Sequence, residues 1–496
     1  MSESPHVISG IEAMRGVGQQ RALGFWADAW QRVLQRPSAV LALLWIGLVA
    51  AGAVLAPVLA NAHPLVMESI GPDGEVLTRS WPLWDNLRAT DLLLLLGALA
   101  AGPWLAPTRL ARLTRGPRLG LLAIAFVQVT LTVLVVSVLH DWLDGSGRSA
   151  AIRDWGRSDA APWVVSGVVA AVLAAVASML PSVDRAGLRL AVALVSAAAA
   201  TWCLAGRWQG RLVNFDRYTQ MEAEGTVRAT YTLIPWSPDY ARSDMGLARP
   251  GMTAGERIEG ERDTPLGRRR LWLGSDALGG DVLSQMLWAC RLSISIGLVS
   301  TGISLLIGVT IGSIMGYFGG KIDMLLFRVV EIFMAIPVLF LLIVAAGVLP
   351  RNTYVMMALI GCFSWTGAAR FTRAEFLKLR RQDFVQSAQS VGLPLRMILF
   401  RHMLPNGITP VLVDASFAVA AAIAVEATLS FLGLGPDGQA SWGKLLSSAT
   451  ASTGTFVWWL AIFPGGAIFL SVLAYNMLGE SLRDAIDPKL RKAAQG

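Results

Sequence analysis

The chain has 496 residues, 54% of them hydrophobic and 15% charged, with a mean hydropathy of +0.54. That balance excludes a soluble globular enzyme and a disordered chain. The formal charge of +8 does not point to nucleic acid, because the Arg and Lys clusters mostly sit beside apolar segments, where they orient a membrane protein. Cys203, Cys290 and Cys362 are widely spaced at or within apolar runs, so they fit neither a disulfide framework nor a metal site and read as packing residues.

Residues 1–36 form a cytoplasmic N-terminal segment carrying Arg15, Arg21, Arg32 and Arg36. The run from Ser38 to Leu59 is too long for the core of a signal peptide and reads as an uncleaved membrane helix. Further spans are predicted near 91–107, 119–140, 162–181 and 187–206, which makes 37–206 a membrane region of about five spans. Arg109, Arg112, Arg115 and Arg118 follow the second span with no acid among them, whereas the loops at 61–90 and 141–161 balance their Arg with Asp and Glu. The positive-inside rule then puts the N-terminus in the cytoplasm and residues 207–286 outside as a polar extracytoplasmic segment with no strong periodicity.

Five more spans are predicted near 287–317, 325–349, 353–369, 408–432 and 455–479, followed by a cytoplasmic tail at 480–496. The expected fold is an all-α polytopic membrane protein of about ten transmembrane helices with both termini inside. This topology puts Ser441 outside and Ser182 inside. Gly308, Gly312 and Gly316 make a doubled GxxxG on the first of these five spans, a helix-packing seam. Arg328 and Glu331 are three apart on one helix and read as a local ion pair. Glu426 is an acid within a span; such groups face a cavity or a partner, so it is a candidate pathway residue, with interfacial water the alternative.

Between the third and fourth of these spans lies a basic cytoplasmic stretch, 370–406, whose end QDFVQSAQSVGLPLRMILFRHMLPN reads as two short helices meeting at a corner. Asp383 is placed to cap the first, Gly392 to supply a left-handed end, and Pro394 to open the second, which Leu404, Pro405 and Asn406 close. Phe384, Ala388 and Val391 share a face of the first helix, as do Leu395, Ile398, Leu399 and Met403 of the second, so the pair can insert apolar faces into a partner's cleft.

This stretch resembles the coupling loop of ABC-importer permeases, whose pattern is E-A-A, three residues, Gly, then nine residues before a motif ending in Leu-Pro. Gln386, Ser387 and Ala388 stand in the E-A-A places, Gly392 in the Gly place, and His402, Leu404 and Pro405 in the closing motif. The Glu and the first Ala are therefore replaced. Three other stretches are similar to the dipeptide, oligopeptide and nickel branch of that family: GYFGGKID at 316–323, ATLSFLGLG at 427–435 and the tail LRDAIDP. So is LGSDALGGD, in which Gly274, Asp276, Gly279 and Asp281 match an outer-face motif, Ser275 and Gly280 depart from it, and Asp281 is placed to cap the next helix.

The resemblance implies that 287–479 is a permease core of five spans, with extra helices between about 91 and 206 that depart from the family plan. Because the core motifs lie beyond residue 270, those helices are expected to be separable from coupling. The chain itself would have no enzyme activity and bind no cofactor, ATP and Mg being used by partner ATPases. Implied partners are two ABC ATPase subunits, a second homologous permease subunit, a periplasmic or extracellular substrate-binding protein and membrane lipid, with no nucleic acid. Peptide is preferred over nickel because no Met/His cluster lies in the spans. A self-sufficient secondary transporter or channel is the rival class, but the inverted repeats or intramembrane ion sites it needs are not found.

Two motifs fail on context. Gly433 to Gly438 spells GxGxxG but follows a membrane helix rather than a strand, and Gly319-Gly320-Lys321 lacks the first Gly and the Ser or Thr of a phosphate loop. No catalytic constellation and no metal-ligand pair such as HExxH is present.

Overall fold

The computed structural model describes residues 25–486, apart from 72, 74, 106–114, 145–153, 157, 180–185, 208–214, 259, 261, 263 and 452–455. Arg15, Arg21, Arg109 and Arg112, which set the expected orientation, and Ser182, Asp487 and Pro488 lie outside the described residues.

Helices dominate because the apolar runs carry few breakers and must satisfy their backbone groups internally in hydrocarbon. A short α1 (Phe25–Leu34) leads into α2 (Pro37–Leu59), and then come α3 (Ala89–Leu105), α4 (Arg115–Asp144), α5 (Ala161–Met179) and α6 (Ala186–Ala205). The second half holds α7 (Val282–Phe318), α8 (Gly320–Ala335), α9 (Val338–Val348), α10 (Thr353–Phe363), α11 (Thr366–Leu379), α12 (Asp383–Ser390), α13 (Leu404–Phe431), α14 (Trp442–Ala451) and α15 (Trp458–Ile486). Seven helices among the described residues are long and apolar enough to cross a membrane alone.

The expected span at 325–349 is instead the pair α8 and α9, bent by 78°. The break falls at Ile336 and Pro337, where proline pushes its predecessor out of the helical region and the backbone turns extended. Counting that pair as one gives eight spans, and the other two expected positions hold shorter apolar helices, Ala89–Trp104 and Thr353–Phe363. After the second of these, a break at Ser364 and Trp365 lets α11 continue toward the basic stretch.

The glycine seam is where it was expected. A Cβ on Gly308 would lie 2.6 Å from the Trp365 carbonyl oxygen, on Gly312 2.5 Å from that of Ala369, and on Gly316 2.4 Å from Cβ of Phe376. Only hydrogen at these three positions lets α7 lie directly on α11.

At the other end of α7 the chain builds a layer that periodicity did not reveal. Strands β1 (Val66–Ile70), β2 (Val76–Ser80) and β3 (Val227–Thr230) form an antiparallel sheet in the order β2-β1-β3, with Met67 opposite both Ser80 and Ala229. Residues 207–286 are thus not self-contained, since they complete a sheet begun in the 61–90 loop. Trp236, Tyr240, Met245 and Leu271 form a buried core with Ala60 and Ala62, just past the end of α2.

The additional helices pack through small residues, with Ala170, Ala174 and Ala177 of α5 buried against Ala193 and Ala197 of α6. One of them is tied to α7 by a buried ion pair. Asp91, at the start of α3, is buried and ion-paired with Arg291 of α7, whose Nε also donates to the Ala53 carbonyl at 2.6 Å. Deleting α3 would remove the carboxylate that Arg291 pairs with, so this helix carries a structural tie to α7 besides its place among the extra spans.

Removing one partner of a buried ion pair costs about 3–5 kcal/mol, because the other charge stays desolvated. Asp91→Ala should therefore lower the melting temperature in detergent, and adding Arg291→Met should recover much of the loss. A melting temperature unchanged by Asp91→Ala would show that the pair does not hold α3 to the core.

Topology is testable by cysteine labelling, but not at Ser441, which is buried. With exposed Cys362 replaced by Ser, an impermeant maleimide applied from outside should label Gln439→Cys and leave Ser390→Cys unlabelled, both positions being exposed.

Candidate functional site: the coupling corner

The corner begins at α12. Gln382 holds the N-cap and makes no side-chain cap, so Asp383 is not the cap expected of it but an acid in the first helical turn, where the helix dipole favours it. At the other end Gly392 has φ +74°. Its N–H donates to the Gln389 carbonyl at 2.9 Å, and that of Leu393 donates to the Ala388 carbonyl at 3.2 Å. These are the two bonds of a Schellman motif, which needs a left-handed residue at this place. Pro394 then stands at the N-cap of Leu395–Met397 rather than inside its first turn.

The second helix does not close at Leu404. It widens into a π turn over Ile398–Met403 and runs straight on as α13. Pro405 has no N–H, and its ring would collide with the carbonyl four residues back in a regular helix. The wider turn relieves that conflict. The Leu404 N–H reaches back to the Leu399 carbonyl, and the Asn406 side-chain amide donates to the His402 carbonyl at 2.8 Å. Leu404 and Pro405 are thus a seamless junction between corner and span, with His402 half-buried beside them.

The two apolar faces also divide differently from the expectation. Val385, Ala388, Ile398, Leu399 and Met403 are buried against Phe376 and Leu379 of α11, so they anchor the corner to its own chain. Left exposed are Phe384, Val391, Leu395 and Phe400, together with Gln386, Ser387, Gly392 and Pro394. Only a small apolar set remains for a partner, seated on a rigid base.

Three polar ties fix that base, and the sequence did not disclose any of them. Asp323 at the start of α8 receives both Nε (2.5 Å) and Nη2 (2.7 Å) of Arg373 on α11, a bidentate pair that fixes angle as well as distance. Arg380 donates to the carbonyls of Tyr317 and Phe318 at the end of α7, filling the space where Gly319 lacks a side chain. The Gln389 amide donates to the Tyr317 hydroxyl at 3.1 Å. Asp323 closes the GYFGGKID stretch, and nothing in that stretch names a residue 50 positions away as its partner.

Other candidate residues prove structural. Glu426 is fully buried in this structure, away from the surface where interfacial water would reach it. Its Oε1 accepts from Ser430 at 2.7 Å and from Ser441 at 2.8 Å, joining α13 to the chain entering α14. That approach is possible because a Cβ on Gly443 would sit 2.1 Å from the Ala427 carbonyl oxygen. Asp281 does cap α7, its Oδ2 accepting from the Ser284 N–H at 2.7 Å. Asp276 accepts from the N–H groups of Leu278 and Gly280, and Gly274 and Gly279 have positive φ against backbone atoms that a side chain would strike. The outer-face motif is a tight staple.

A long-helix membrane core with a glycine-seamed lever and an exposed corner defines a transport permease. Residues 308–492 match the family model described as binding-protein-dependent transport system inner membrane component, and residues 24–72 match the N-terminal TM domain of oligopeptide transport permease C. The chain is 38% identical to the oligopeptide transport system permease protein OppC of Bacillus subtilis over 222 residues, 45% of this chain and 72% of that protein. It is 36% identical to the protein of the same name from Haemophilus influenzae over 261 residues, 52% and 80% of the two chains. To the dipeptide transport system permease protein DppC of Alkalihalophilus pseudofirmus it is 35% identical over 221 residues, 44% and 73%. The chain belongs to this family of multi-pass inner-membrane permease subunits of ABC import systems.

No atom lies within 4 Å of a Cβ built on Gly392, so any side chain there meets backbone strain alone. That strain is about 1–2 kcal/mol for an ordinary residue and less for Asn. Gly392→Val should speed limited proteolysis at the corner while shifting global melting little, and Gly392→Asn should stay near wild type. Equal cleavage of all three proteins would show that the left-handed residue does not hold the corner.

Proposed function

We propose that this chain is one of two homologous permease subunits of an ATP-driven importer of peptides. The observation that carries the reading is the corner itself: exposed Phe384, Val391 and Leu395 on a base buried against α11. Two separate ATPases, binding ATP and Mg, dock on this patch of each permease. Their closure on ATP pushes the corner, α11 carries the push along the glycine seam to α7, and the spans tilt to open the pathway alternately to each side. A soluble binding protein delivers substrate to the layer around β1–β3. The oligopeptide and dipeptide names of the relatives support peptide as the substrate class.

The second permease packs on α8 and α9. This bent pair exposes Met324, Leu325, Ile332, Phe340 and Val344, and among them an Arg328–Glu331 ion pair at 2.7 Å that is also exposed. A charge pair facing acyl chains is costly, so this surface suits a subunit interface around a water-filled pathway.

The reading is tested in vesicles carrying the permease with its neighbouring-gene subunits, by ATP-dependent uptake of a radiolabelled tripeptide and co-purification of the ATPases. Gly392→Val should cut uptake at least about tenfold, equivalent to about 1.4 kcal/mol of lost coupling, whereas Gln386→Glu should be tolerated. The isolated chain should hydrolyse no ATP. Normal docking and uptake by Gly392→Val would remove the corner from the coupling route, and robust turnover by the isolated chain would refute the subunit reading.

A further inference from the structure

The layer at the far end of α7 from the coupling corner contains a pocket of about 320 Å³ whose lining includes Glu222, Tyr231, Arg268, Arg269, Arg270 and Trp272. Among the described residues of the lining three arginines stand with one acid, and Glu222 is itself engaged by the Tyr231 hydroxyl at 3.4 Å. Arg269 is 8% exposed. Its guanidinium lies 3.9 Å from the centre of the Tyr231 ring, and Nη1 donates to the Pro235 carbonyl at 3.3 Å. Its Nη2 is buried with no acceptor. Within the pocket lining the Arg269 charge is met by Glu222, and the two further arginines beside it leave the site net positive and open to an anion. Arg268 and Arg270 are exposed and form no ion pair among the described residues, so two further cations stand at the mouth.

The height of the pocket says which anion. Ile234 donates its N–H to the carbonyl of Leu59, the last residue of α2, and the Asn61 N–H donates to Ile234. The wall at 231–235 therefore lies level with the end of a membrane span. Beside the arginines, Leu233 is 77% and Trp272 53% exposed, and the Arg270 guanidinium lies 5.3 Å from the centre of the Trp272 ring. Trp beside Arg at a span's end is the signature of the headgroup region, where one part of a ligand is apolar and the other charged.

We propose that this pocket binds a phosphate group at the membrane surface, that of an anionic phospholipid in the leaflet opposite the coupling corner. The phosphate oxygens accept from Arg268 and Arg270, Arg being suited to phosphate by its planar fork, while Arg269 behind them adds its charge. The acyl chains leave past Leu233 and Trp272. The site lies apart from the corner, so its failure would leave the transport reading intact.

The test is native mass spectrometry of the full-length chain, delipidated in detergent and titrated with phosphatidylglycerol or, separately, phosphatidylcholine. Arg268→Gln with Arg270→Gln is the main variant, since both side chains are exposed and their loss should not disturb folding; Arg269→Gln is the second. Expected are one tightly held phosphatidylglycerol on the wild type, at least about tenfold weaker binding in the double variant (about 1.4 kcal/mol), and no comparable site for phosphatidylcholine. Unchanged phosphatidylglycerol binding in both variants would overturn the proposal. If glycerol 3-phosphate binds as tightly as the lipid and shows the same loss, the source is a soluble phosphate and the lipid assignment falls. If a hexaglutamate peptide binds the wild type and the lipid does not, the pocket docks an acidic protein segment and the proposal is wrong.

Discussion

Everything at the coupling end depends on how closely α7 and α11 approach. A Cβ at Gly308, Gly312 or Gly316 would lie at or below 2.7 Å from atoms of α11, so the two helices are in contact over most of the length of α11. In lipid no hydrophobic drive pulls helices together, and packing at this distance is what replaces it. The Asp323–Arg373 pair then fixes α8 to α11, and Arg380 ties the end of α11 to the carbonyl end of α7. The corner's buried face packs on Phe376 and Leu379, so α12 is joined to α7 through α11 by continuous contacts.

The parts of this arrangement that could be read from sequence are those whose cause is local. A glycine every four residues, a glycine where a left-handed helix end is needed, and an Asp before an apolar run each state their geometry within a few positions. The seam, Gly392 and the Asp281 cap accordingly stand where expected. Even locally, competing preferences changed the outcome. Asp383 looked like a cap, yet Gln382 already had the extended backbone of one. Pro405 looked like a stop, yet the preceding residues absorbed it as a π turn.

What the sequence did not disclose is non-local. The β1–β3 pairing joins residues about 160 positions apart, and each strand is too short and too weakly alternating to announce a partner. Asp91 reads as a helix-opening acid until Arg291, 200 residues on, is brought beside it. Glu426 looked like a pathway residue because an acid in a span is costly. Two serines satisfy one of its oxygens, one of them fifteen residues away in a segment that Gly443 lets close in. The ion pairs that position the corner belong to the same class, since residue type gives charge but not address.

The π turn between corner and span carries a further consequence. A helix that has absorbed one surplus residue has rotated everything on one side of it by about 100° relative to the other, since an α-helix turns 3.6 residues per revolution. The phase between α12 and α13 is therefore recorded in the residue count between Gly392 and Leu404 as much as in any contact. Two such chains with identical corners and identical spans, differing by one residue that the π turn does not absorb, would present their corners in different directions.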